Sequence, residues 1–157
     1  MSPTIRRTIA AALAPAIAGV ALATVAMAAP ASAGQSDLAA LRRATAQYHT
    51  VEAALASGRV DLHLCFDMMG EHYADPATFG DGVLDPLDPE ALVYAHVGDK
   101  LKLVAVEWVS TTPGTVPGLG DLHLNPALGV YVMHAWIWAP NPDGMFADMN
   151  PRIGDCP

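Results

Sequence analysis

The chain has 157 residues, 52% of them apolar, and a formal net charge of −8. Nucleic acid and anionic lipid surfaces are poor partners for such a chain, because both require a positive patch. A cation or a basic partner protein is favoured instead.

The first 33 residues have the form of a cleavable export signal. Arg6 and Arg7 supply a positive start, Thr8 to Ala29 is almost wholly apolar, and Ala31-Ser32-Ala33 is a small-x-small cleavage site before Gly34. The apolar run is also long enough to span a bilayer. Its alanine-rich composition and the cleavable end favour removal over anchoring. The expected product is a single secreted domain, residues 34–157, with no membrane insertion after cleavage. Its 124 residues carry six basic groups against sixteen acids, a net charge of −10.

Ser36 to Ser57 is the predicted helix. Ser36 is its expected cap, Leu38, Leu41, Thr45, Tyr48 and Leu55 form one stripe with Val51 beside it, and Gly58 stops it. Cys65 and Cys156 are the two cysteines, and in an oxidising compartment they are expected to form one disulfide. Closing a loop of this size stabilises by at most about 4–4.5 kcal/mol. Asp75 to Pro89 is a dense turn region whose Asp-Pro and Asp-Gly pairs read as loop chemistry, without the spacing of a calcium-binding EF-hand loop.

Ala91 to Val97 and Leu101 to Val109 read as strands of a hairpin turning at Gly98-Asp99-Lys100. Strict alternation puts Leu103, Ala105 and Glu107 on one face, with Val104, Val106 and Trp108 on the other. Thr111 to Gly120 is a loop. Gly129 to Ala139 is a third strand, on which Val132, His134, Trp136 and Trp138 share a face. The proline-rich tail, Pro140 to Pro157, is expected to wrap the sheet and to be pinned by Cys156. The predicted fold class is α+β: one N-terminal amphipathic helix on an antiparallel sheet, with partial closure into a barrel as a variant.

Glu107 and His134 are the polar residues that interrupt apolar strands. A buried carboxylate needs a cation, an imidazole or several donors, so Glu107 and His134 can pair across the sheet if their strands are neighbours. That pair can be a structural hydrogen bond or half of a site. His72, in the segment Met68 to Tyr73 near Cys65, is the third candidate. Two imidazoles and one carboxylate suit zinc, iron or manganese. His63, Met68, Met69 and His72 form a rival donor set suited to copper. On either reading the cofactor is a divalent transition metal or copper. Trp136, Trp138 and Tyr73 are the expected pocket walls. Glu71, Glu90, Glu107 and Asp148 are carboxylates that can converge for acid–base work.

Four runs carry a wider resemblance: Pro89 to Tyr94, Leu103 to Trp108, His134 to Trp138, and Asn141 to Arg152. Together with the Leu41 to Thr45 helix they resemble a group of exported bacterial proteins without an established activity. The resemblance implies an exported single domain with a tail cysteine, and no chemistry.

Three functions are compatible with these residues. The first is a small secreted binding domain holding a metal through His72, Glu107 and His134. The second is a secreted enzyme with Glu107 as its general base and His72 or His134 as partner. The third is a cell-envelope interaction protein displaying Tyr131, Trp136 or Trp138.

Overall fold

The computed structural model describes residues 33–157; residues 1–32, the bulk of the expected export signal, lie outside the described residues. The fold is α+β. Two helices, α1 (Ala33–Thr45) and α2 (Val51–Ala56), precede eight strands: β1 (Val60–Phe66), β2 (Gly70–Ala74), β3 (Ala91–Val97), β4 (Lys100–Ser110), β5 (Thr115–Val116), β6 (Gly120–Asp121), β7 (His123–Asn125) and β8 (Val130–Ala135). Six of them form an antiparallel half-barrel in the order β1-β2-β3-β4-β8-β7, while β5 and β6 pair separately. Among the described residues, no helix is long and apolar enough to cross a membrane.

The single predicted helix is two. A 3-10 turn, Ala46–Tyr48, follows α1, and the chain becomes extended at Thr50, whose hydroxyl accepts from Ala53 N–H as an N-cap. The break shifts the apolar face: Leu41 and Thr45 are buried as expected, but Leu55 is exposed and Ala54 is buried in its place. At the C-terminus Gly58 has φ +99°, Gly58 N–H bonds Leu55 C=O, and Arg59 N–H bonds Ala54 C=O. This is a Schellman stop, with glycine in the left-handed position.

The β3–β4 hairpin turns at Gly98-Asp99, with Val97 opposite Lys100. A bulge interrupts it: Val93 faces Ala105, whereas Tyr94 faces Leu103. Val104 is the extra residue, and a one-residue insertion flips the faces beyond it. Leu103 therefore joins Val106 and Trp108 in the main core beside the helices, correcting the alternation read from sequence. Ala105 packs on the opposite side, in a smaller cluster with Val93, Val104 and Trp136. The freed Val104 C=O accepts from Trp138 and Ala139 N–H.

Each tryptophan docks a different segment with its indole N–H: Trp108 to Asp85 C=O at 2.7 Å, Trp136 to Ala147 C=O at 2.6 Å, and Trp138 to Thr45 Oγ1 at 3.3 Å. The turn region, the tail and α1 are thereby tied to the sheet. The aspartates of the turn region cap their own loops, as Ala77, Val83 and Leu87 N–H donate to Asp75, Asp81 and Asp85. The expected disulfide is present: Cys65 and Cys156 are bonded, with Cα atoms 5.9 Å apart.

Candidate metal centre

Three polar side chains meet on the sheet face opposite the helices. Glu107 on β4 and His134 on β8 are direct cross-strand partners, as the sequence suggested. His72 reaches them from β2, with β3 between. That gap is two strand spacings, about 10 Å. On β3, Glu107 faces Ala91 and His72 faces Val93, so the two side chains approach each other diagonally across that strand. All three residues are buried, and one ligand atom from each lies within 4.8 Å of the others. The cluster could hold a metal ion.

Each imidazole is oriented from behind. His72 Nδ1 lies 3.2 Å from Leu64 C=O. A carbonyl only accepts, so Nδ1 carries the proton and the Nε2 lone pair points inward. Leu64 lies within a bulged stretch of β1, where the register slips between Asp61 and Cys65 and His63 adopts φ +53°. Asp61 stabilises this turn by accepting His63 N–H at 2.7 Å. Behind His134, Asp148 Oδ1 lies 3.7 Å from Nδ1, and the same oxygen is 2.7 Å from His123 Nε2. Trp136 stacks on the His134 ring at 6.1 Å between centroids. An imidazole with one nitrogen facing the site and the other facing a carbonyl or carboxylate is the usual arrangement around a bound metal.

The gaps inside the cluster are informative. Glu107 Oε2 lies 3.6 Å from His72 Nε2, and Glu107 Oε1 lies 3.5 Å from His134 Nε2. Both exceed the 2.7–2.9 Å of a charge-assisted hydrogen bond. They are close to the edge of a tetrahedron with ~2.0 Å bonds, about 3.3 Å. His134 Nε2, the nitrogen that faces Glu107, has no hydrogen-bond partner, although the residue is 1% exposed. Such an orphan is costly unless a cation occupies the gap.

The two histidines shift in opposite directions. Burial lowers the His72 pKa, partly opposed by Glu107 and reinforced by His134. Burial also pulls on His134, but Glu107 and Asp148 outweigh it and the net shift is upward. The Asp148 carboxyl is held low by His134 and by His123. A neutral His72 therefore aims a lone pair at a carboxylate, and both attract a positive ion.

His72 and Glu107 of the cluster line a cavity of about 480 Å³. Its walls are Leu62, Leu64 and Phe66 of β1, the β7–β8 connection with Leu124 and Leu128, and Met149 of the tail. The expected walls are a correction. Trp136 lies under His134 without lining the cavity, and Tyr73 and Trp138 pack on the helix side of the sheet. For Tyr73 the reason is parity, since it follows His72 and points the other way. For Trp138 it is the end of β8 at Ala135, after which alternation no longer holds. Of the rival copper set, the His63 side chain is 87% exposed and lies beside Asp61, whereas Met69 lines the cavity with His72. Of the four carboxylates proposed to converge, Glu107 and Asp148 line the cavity, whereas Glu71 sits by His96 and Glu90 accepts Val109 N–H. His123 was not foreseen, because it stands on a three-residue strand without a periodic pattern. Trp136 is buried and Trp138 partly buried, so the two tryptophans do not form the displayed aromatic surface of the interaction reading.

No family model, no curated protein and no solved structure matches this chain.

Proposed function

We propose that this is an exported metal-binding domain in which His72 Nε2, His134 Nε2 and Glu107 hold one divalent transition-metal ion, zinc being the best fit. The observation that carries this reading is the pair of inward-facing ring nitrogens, 3.5 and 3.6 Å from the two oxygens of one buried carboxylate, with no hydrogen bond closing either gap. The disulfide is compatible with an extracytoplasmic location. Three protein ligands leave a fourth position, and the adjoining cavity supplies access to it. Zinc added to metal-free protein is expected to raise the melting temperature by roughly 10 °C at a hundredfold excess over Kd. A chelator reverses the gain. Unchanged melting, with no metal retained after dialysis, overturns the reading.

The cavity favours a second reading, a secreted enzyme, because ligand sites begin at about 300 Å³ and Glu107 lies at the floor of a larger one. Glu107 would then serve as general base with a histidine partner. Turnover that survives complete metal removal and is lost in Glu107→Gln separates this reading from the first.

A further inference from the structure

The half-exposed apolar residues Leu64, Phe79, Leu124, Leu128 and Met149 all line the cavity above the metal-binding floor. Scattered exposed apolar residues need no explanation, but a group converging on one cleft marks a binding site. The lining is mostly hydrocarbon, and its polar side chains are His72, Glu107, Asn125 and Asp148.

Charge selects the head group. A divalent ion with Glu107 carries +1, because the histidines are neutral when they ligate. Asp148 is half exposed, so solvent screens its charge. A single negative charge at the open position makes the dry floor neutral, whereas a cation is repelled and a neutral head leaves the charge uncompensated. Size selects the tail. At about 30 Å³ per water, the cavity offers roughly sixteen water volumes, room for a carboxylate with a chain of about ten carbons.

We infer that the cleft binds a monoanionic amphiphile of fatty-acid type, its carboxylate on the metal and its chain along Leu124, Leu128 and Met149. This rests on the metal-binding reading and adds the ligand class. The test is calorimetric titration of the zinc-loaded protein with hexanoate, octanoate and decanoate, with decanol and decyltrimethylammonium as controls, after zinc content has been measured independently. The expected result is a gain of about threefold to fourfold in affinity per added methylene. Decanoate should also bind at least tenfold tighter than either control, and at least tenfold tighter with zinc than without. The exposed double variant Leu128→Asn/Met149→Asn should keep its zinc and lose the dependence on chain length. Zinc bound without preference for decanoate overturns this inference and leaves the metal site standing. Decanoate bound equally with and without zinc overturns the placement of the head group. Failure to take up zinc overturns both readings.

Discussion

At the scale of residues, the centre depends on how each ligand is held. Asp148 touches no proposed metal position, yet it lies 3.7 Å behind His134 Nδ1, where it favours one orientation of the ring. Groups in this role typically change metal affinity 10- to 100-fold. Asp148→Asn should therefore bind zinc about tenfold more weakly in competition with a chromophoric chelator, while Asp143→Asn, elsewhere in the tail, should match the parent. Glu90 shows a different use of burial. It is 1% exposed, and burial, partly offset by its own and Val109 N–H groups, raises its pKa from 4.5 to about 7. The folded state thus holds this proton more tightly than the unfolded chain. The stability contributed by the neutral form is complete below about pH 4.5 and is lost as pH rises to about 7, a change of about 3 kcal/mol. In urea unfolding, the stability of the parent relative to Glu90→Gln should fall by about that amount between pH 4 and pH 8. Parallel pH profiles would contradict the assignment.

Elements place those residues, and their irregularities matter more than their regular parts. Glu107 and His134 were each legible in sequence as a polar residue inside an apolar strand, whereas the strand order that makes them a pair was not. Nor were the cavity walls. They come from the bulged strand β1, the three-residue strand β7 and the tail, none of which has a periodic signature. The exchange of faces at Leu103 and the helix break at Thr50 were hidden for related reasons. A bulge or a cap is decided by one residue, and a one-residue slip inverts every assignment beyond it. Gly70 is another such point. It starts β2 with φ +113°, and a Cβ there would collide with Tyr94 C=O. Gly70→Ala should destabilise by more than 2 kcal/mol in denaturant titration. Trp136 serves both face and tail, so Trp136→Phe keeps a ring on His134 while releasing Ala147 C=O. A loss of about 1 kcal/mol is expected, with faster amide exchange of Met145 to Asn150.

Over the whole molecule, the helices and most of the large side chains cover one face of the half-barrel. The other face is left for a dry polar floor beneath an apolar cleft. The tail completes that face. Asn150 N–H bonds Met68 C=O, Cys156 N–H bonds Asp67, and the disulfide fixes both ends of the arrangement. Cys65→Ser/Cys156→Ser should cost about 2–4 kcal/mol. It should also weaken zinc binding, since Leu64 and Asp148 both belong to segments the bridge restrains. The central claim is that His72, Glu107 and His134 close around an ion. The most direct measurement is metal content per chain after equilibrium dialysis against zinc, for the parent and for His134→Ala and Glu107→Gln. One ion in the parent and none in either variant is the predicted result; an empty parent, or equal content in all three, contradicts the account.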